Sequence, residues 1–486
     1  MRRIVLALLL PLTFAPAPFC ATLAQSAPAA APAKRPMTFE DMMQMKRLGE
    51  TAVSADGRWL AYSVTTVHLA QNSKTAELWL QRLDADGTEA GKAQKLGVAQ
   101  PGDSGPQFAP GDRHILFLSS RSGSRQVWLA DFDPATGAAS NPRQLTSIAT
   151  GADNALWSPD GNSIVFTSFV YPDCPAITTA DAATGNRCNA GREAARAASM
   201  VKARIFTHLL YRHWDHFTGD KRSHLFLVSV ANGTLRDLTP NDPHDIPPFS
   251  LEGSGCGCSF APDSKELAYT EKDVPVPAIS TNADIFTLDL TRPAAKPVKV
   301  STSPGGDFNP AYSPDGKWLA WRSQARAGYE SDKFRLVVYD RRTKKIRDVL
   351  PNFDRWVDEF AWAPDSKSLF LAAGNAGQEP VFETTLDGRL AELPGAGDFG
   401  GLLPLPGSRA VIADHMTVEA PGEVVAIVPA SGQTGPRSEI SPPDGLAPIL
   451  AGQIHPLTHL NDALLAQLDR PPMEPFWFTA QDGTRL

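Results

Sequence analysis

Four histidines, His208, His213, His216 and His224, lie within one short stretch together with Asp215. Imidazole and carboxylate at such spacing can ligate zinc. The spacing does not make the His-x-x-x-His pair of a helical site, so the stretch reads as a polar contact surface and no metal is expected there. A hydrolytic serine of the α/β type needs Gly-x-Ser-x-Gly, because its strained strand-to-helix turn tolerates only small neighbours. The nearest approach, Gly102-Asp103-Ser104-Gly105-Pro106, has Pro at the last position and no preceding strand, and it reads as a surface loop. The Asp-Gly turns in Ser-Pro-Asp-Gly differ from the Ser-x-Asp-x-Gly-x-x-Trp turn of sialidases, since here Gly follows Asp directly. No cofactor motif is found.

Those side chains must be carried by a repeated element. Trp157-Ser158-Pro159-Asp160-Gly161, Phe260-Ala261-Pro262-Asp263-Ser264, Tyr312-Ser313-Pro314-Asp315-Gly316 and Trp362-Ala363-Pro364-Asp365-Ser366 are copies of one phrase. Looser copies stand at Ser54-Ala55-Asp56-Gly57, Phe108-Ala109-Pro110-Gly111-Asp112 and Pro406-Gly407-Ser408. Asp-Gly or Asp-Ser supplies a tight turn, and the preceding Pro stiffens its approach. An alternating apolar strand follows each copy, as in Gly57 to Ser63 and Gly316 to Trp321, and a second strand follows it, as in Glu77 to Leu83 and Phe334 to Asp340. A third phrase such as Arg143-Gln144-Leu145-Thr146 closes most units. A unit of about four short antiparallel strands cannot bury both faces by itself, so seven of them must stack radially. The expected fold is all-β, a seven-bladed β-propeller of the WD40-like or TolB-like kind. Its turn aspartates are assigned to structure.

Met1-Arg2-Arg3, an apolar run from Ile4 to Leu12 and small residues up to Ala24 read as a secretory signal peptide over residues 1–24. Residues 25–50 are then linker and N-terminal segment, 51–465 the propeller, and 466–486 a further linker and strand. The implied location is periplasmic or extracellular, with no membrane span. Net charge is -7 with mixed signs, which argues against nucleic acid as a partner. Four cysteines remain after cleavage and permit three pairings. Cys174 with Cys188 is favoured, because it closes a loop inside one insertion. Cys256-Gly257-Cys258 reads as too close for an easy bridge. That insertion stretches the third unit over about residues 171–220, and its part from Arg192 to His208 has helical composition.

Taken together, these features resemble the S9 or prolyl-oligopeptidase family of serine peptidases, in its exported dipeptidyl-peptidase and acylaminoacyl-peptidase-like branch. The resemblance is carried by Met37-Thr38-Phe39-Glu40-Asp41 leading into Val53 to Tyr62, by the repeated phrase, and by an ending from Pro456 to Leu465 and from Phe476 to Thr484. It implies that the propeller caps an active site and filters short peptide substrates by size. It also implies that residues 466–486 open the first strand of an α/β-hydrolase domain that is missing here and carries the Ser-Asp-His triad. No residue of this chain inherits a catalytic role, and the chain by itself is expected to be inactive. Tyr211, Arg212, Trp214 and Asp215 in the insertion are the candidates for substrate-side contact. Some family members grip a peptide amino terminus with paired acids from the propeller; Asp358-Glu359 opens a blade strand and is not assigned that role. The alternative reading is a stand-alone periplasmic TolB-like propeller acting as a binding scaffold.

Overall fold

The structure, a computed structural model, describes residues 34–207, 209–213, 216–248, 255–430, 438–439 and 448–486. It is all-β, a propeller of seven blades, each built on an antiparallel sheet of four strands in chain order. The inner strands are Arg47–Val53, Ser104–Phe108, Asp153–Trp157, Cys258–Phe260, Asp307–Tyr312, Glu359–Trp362 and Asp398–Pro404. Blade 6 gains a fifth strand, Ser438–Glu439, beyond Arg389–Glu392. Among the described residues the first and last blades exchange no strand. Leu60 and Tyr62 of blade 1 instead pack against Leu405, Ile412, Val424 and Ala426 of blade 7.

Apolar residues fill the seams between blades. Blades 2 and 3 meet through Leu116, Leu129, Ile164 and Phe226, and blades 5 and 6 through Val338, Val349, Leu371 and Phe382. The seams of blades 1 and 2, 3 and 4, 4 and 5, and 6 and 7 are filled in the same way. The second strands are buried almost without interruption rather than in alternation, as Ile115 to Ser119 show, because each blade buries both of its faces against neighbours.

The repeated phrase forms the turn between the inner and second strands, and its chemistry is visible atom by atom. Ser158 Oγ donates to Asp160 Oδ1 at 2.6 Å, which also accepts Asn162 N–H at 3.0 Å, while Ser158 Oγ accepts Ser163 N–H at 2.9 Å. Ser313 and Asp315 repeat this at 2.7 Å, as do Ser54 and Asp56. The fifth position is left-handed in six of the seven copies: Gly57, Gly161 and Gly316 have φ of 71°, 69° and 69°, and Asp112, Ser264 and Ser366 have 53°, 59° and 63°. Non-glycine residues pay for that backbone, and here they make a bond glycine cannot. Asp112 accepts the N–H groups of Ala55 and Asp56 at 2.7 and 2.8 Å. Ser264 Oγ accepts Asp160 N–H at 3.0 Å, and Ser366 Oγ accepts Asp315 N–H at 2.9 Å. Blades 2, 4 and 6 thus latch onto the turns of blades 1, 3 and 5.

We call the face bearing these turns the lower face. Strand alternation then puts the start of every inner strand, the blade-to-blade connections and the connection between second and third strands on the upper face. The insertion of blade 3 joins the second strand, Ser163–Val170, to the third, Arg222–Ser229, and therefore rises from the upper face. The chain also enters and leaves there. Helix α1, Phe39–Gln44, is capped by Thr38 and Asp41, and Arg35 N–H bonds to Gln467 O while Asp469 N–H bonds to Arg35 O, at 3.0 and 2.7 Å.

Three expectations are corrected. The helix of the insertion, α2, runs over Ala182–Ala198, ten residues before the expected start at Arg192, and residues 199–207 are not helical. Met200, Val201 and Ile205 have helical spacing but meet no core and lie exposed. The true helix docks through its polar residues: Asn189 Oδ1 accepts Tyr171 N–H at 2.9 Å, and Gly185 lies so close that a β-carbon would stand 2.4 Å from Pro175 O. Cys256 and Cys258 are bridged, since Gly257 turns left-handed (φ 54°) and holds their Cα atoms 5.1 Å apart, within ordinary disulfide reach. The ending does not run as a single strand. It folds back at Asp482-Gly483, with Phe478 and Leu486 exchanging backbone hydrogen bonds at 2.9 and 2.8 Å. After α1 and α2, a short helix α3, Asp462–Leu465, precedes it.

Candidate functional site

The inner strands surround a cavity of about 620 Å³ at the propeller axis. It is shaped by bulges near the upper end of the inner strands, where register shifts occur in blades 1, 2, 3, 5 and 7. A bulge kinks a strand and re-aims its side chains. Gly105, Asn154, Asn309 and Gly401 take the left-handed conformation within four of them, with φ of 59°, 50°, 58° and 60°.

Charged side chains of both signs stand on this wall. Glu50 of blade 1 accepts Ser63 Oγ–H at 2.7 Å. Arg125 of blade 2 donates to Ser104 Oγ at 2.7 Å and lies 3.5 Å from Asp153 of blade 3. Arg322 of blade 5 is buried, donates to Val357 O at 3.3 Å and stacks on Phe334 at 4.8 Å. From blade 6, Glu359 reaches across to the bulge of blade 7 and accepts the N–H groups of Gly401 and Leu402, both at 2.8 Å. Asp358 lies beside it on the wall.

Behind that pair the seam of blades 6 and 7 is crowded with carboxyls. Burial, then the charges of Asp358, Asp398 and Glu359, push Glu379 up to about 7. Burial, then Glu359, pushes Asp414 up to about 7. Asp358 is raised by burial, against the pull of Arg322. The wall therefore offers the acidic pair Asp358 and Glu359 from blade 6, backed by the carboxyls of the seam with blade 7, and guanidinium groups from blades 2 and 5. Such a cavity can orient a small zwitterion by its two ends. Among the described residues it holds no nucleophile paired with a base.

The residues singled out in the sequence fall elsewhere. Tyr211 and Arg212 lie on the exposed insertion, Arg212 in a short hairpin of Arg212–His213 and His216–Phe217. Phe206 stacks on Tyr211 and Phe217 at 5.0 and 5.9 Å. Trp214, Asp215 and His208 lie outside the described residues. His224 separates from the other histidines: it is buried in blade 3, with Nδ1 2.9 Å from Asp237 Oδ2. Cys174 and Cys188 are bridged, tying the start of the insertion to α2. Sequence reasoning missed Glu50, Arg125, Asp153 and Arg322, because each stands at a different place in its own unit.

No protein-family model matches the chain. It is 28% identical over 466 residues to dipeptidyl-peptidase 5 of Porphyromonas gingivalis, covering 93% of this chain and 60% of that protein. It is 25% identical over 460 residues to dipeptidyl-peptidase 5 of Porphyromonas endodontalis, covering 93% of this chain and 59% of that protein. These matches support a likeness to the propeller part of S9-family peptidases. Acylaminoacyl peptidase of Pyrococcus horikoshii shares the fold of this chain, with a TM-score of 0.59 at 13% identity over 90% of this chain and 57% of that one. The β-propeller domain of the trilobed protease from Pyrococcus furiosus, described as having an open velcro topology, gives 0.51 at 13% identity over 87% of this chain and 99% of that one. The chain spans about 60% of the length of the curated relatives it matches.

Proposed function

We propose that this chain is the substrate-gating propeller of an exported serine peptidase that cleaves short peptides in the dipeptidyl- or acylaminoacyl-peptidase manner. The acyl transfer, with serine as nucleophile and histidine as base, belongs to an α/β-hydrolase domain in the part of such proteins that this sequence does not span. One observation carries the reading. The charged cavity mouth, the insertion bearing Tyr211 and Arg212, and the points where the chain enters and leaves the ring share the upper face. A catalytic domain tethered through residues 466–486 is thereby directed to the mouth, where the acidic pair suits a peptide ammonium and Arg125 or Arg322 suits a carboxylate. Two disulfides support an oxidising location outside the cytoplasm.

The test is a fluorophosphonate probe together with dipeptidyl and acylaminoacyl chromogenic substrates. The chain by itself should neither be labelled nor turn substrate over. Joined in one polypeptide to a family hydrolase domain, it should favour short peptides, and Arg125→Ala should loosen that selection with little change in labelling. Inhibitor-sensitive turnover by the chain by itself would overturn the reading.

A further inference from the structure

Where blade 3 hands over to blade 4, on the upper face, three side chains converge that the cavity does not use. Asp242 and His244 lie on the connection after Leu235–Asp237, and Glu271 ends the second strand of blade 4, Glu266–Glu271. One ligating atom from each of the three lies within 4.8 Å of the other two. Glu271 is buried, and two residues before it on the same face of the strand stands Tyr269, wholly buried, whose hydroxyl has no hydrogen-bond partner. Burial, then the charges of Glu271 and Asp242, push that hydroxyl well above its ordinary value. A buried hydroxyl without a partner is costly, and it points here to something that completes the group.

The connection is held in place from beneath. His224 Nδ1 is 2.9 Å from Asp237 Oδ2, and its Nε2 is 3.1 Å from Asp242 O. Asp245 Oδ1 accepts Ser223 N–H at 2.8 Å, and Ile246 N–H bonds to Ser223 O at 2.8 Å. Asp242 Oδ1 accepts His244 N–H at 2.9 Å and stands 3.1 Å from His244 Nδ1. A buried histidine–aspartate pair behind a ligand-bearing loop is the kind of support that orients metal ligands.

We propose that Asp242, His244 and Glu271 bind a zinc-type divalent cation, with the Tyr269 hydroxyl or a water in the fourth position, pinning blade 3 to blade 4 beside the insertion. One imidazole and two carboxylates suit zinc better than calcium or magnesium, which prefer all-oxygen sets. Zinc ligands about 2.0–2.1 Å from the ion stand roughly 3.4 Å from one another. The group has to contract by up to about 1.4 Å, and the loop that carries Asp242 and His244 can supply it.

The test uses the chelator-treated chain titrated with zinc chloride against a chromogenic indicator, with metal content by mass spectrometry and thermal melting with and without zinc. One equivalent of zinc at micromolar concentration or below and a Tm higher by a few degrees, reversed by EDTA, are expected. His244→Gln and Glu271→Gln should each weaken binding about 100-fold and abolish the Tm shift, whereas the double variant His213→Ala/His216→Ala should bind as the parent does. His244 is partly exposed on a loop, so its variant reports on binding even if Glu271→Gln fails to fold. No retained zinc, a preference for calcium, or parental binding by His244→Gln would overturn the proposal.

Discussion

On the lower face, Ser54, Ser158 and Ser313 each fold a turn around an aspartate two residues on, and three of these turns are held by the next blade. On the upper face the same strands present Glu50, Arg125, Asp153, Arg322 and Glu359, no two with the same surroundings. Their carboxyls behave oppositely. The Lys317 ammonium, against a small burial penalty, and the Ser313 hydroxyl hold Asp315 below the usual carboxylate range. Burial and like charge push Glu379 and Asp414 up to about 7. The lower face satisfies its charges and repeats itself, as a scaffold does. The upper face keeps charges crowded and varied, as a surface that meets ligands does.

The comparison breaks first where the ring closes. With no strand exchanged among the described residues, Leu405 fills the lower seam between blades 7 and 1, beneath Gly57 and Gly87. Leu405→Ala leaves a cavity there and should cost about 2–5 kcal/mol. Urea unfolding followed by tryptophan fluorescence checks it; a loss below about 1 kcal/mol would mean that closure rests elsewhere.

At the mouth, Glu359→Ala strips the acceptor from Gly401 and Leu402 N–H. About 1–3 kcal/mol should be lost, and Glu359→Gln, which keeps one acceptor oxygen, should lose less. Hydrogen exchange at Gly401 and Leu402 reads this out directly, since a merely electrostatic role would leave both amides protected.

The same seam sets a dependence on pH. The folded chain keeps protons on Glu379 and Asp414 up to about 7, whereas the unfolded chain releases them near the ordinary 4.5 and 3.8. Folded protein then binds more protons, so stability falls as pH rises. Their contribution is full below about pH 4 and gone above 7. Glu379→Gln combined with Asp414→Asn should flatten the slope of the urea midpoint between pH 5 and 8 and raise the midpoint at pH 8. A slope unchanged from the parent would show that these carboxyls do not titrate with folding. The effect should be smaller than that of Glu359→Ala, because Glu379 is only partly buried.

The lower face was legible in the sequence because a turn needs the same residues each time it is made. Ser, Pro, Asp and Gly repeat, and seven repeats of a four-stranded unit leave little choice of architecture. The alternation of Gly with Asp112, Ser264 and Ser366 was also written there, but its purpose needs two turns side by side in space. The mouth was hidden for a different reason. A bulge can be built with Gly105, Asn154 or Asn309 alike, and a charge on it carries no periodic mark. Asp242 and Glu271 lie in adjacent units and meet only when the blades stack. The misplaced helix shows the same limit: apolar spacing at Met200, Val201 and Ile205 pointed to a core that is not there, while Gly185 and Asn189, poor helix formers, mark the face that docks.

The smallest effect separates the turn from the latch. Ser366 has φ of 63°, which costs about 1 kcal/mol in any residue with a β-carbon, and its Oγ accepts Asp315 N–H across the seam. Ser366→Ala keeps the strain and loses the bond, so about 1 kcal/mol should go. Ser366→Gly loses the same bond but relieves the strain, and should come within about 0.5 kcal/mol of the parent. Gly316→Ala, at φ 69° in the partner turn, adds strain with no bond in return and should cost about 1 kcal/mol. If Ser366→Gly instead falls as far as Ser366→Ala, the latch contributes more than the backbone it strains. The lower face would then be held by contacts between blades as specific as any at the mouth, and its repetition would reflect one joint used three times.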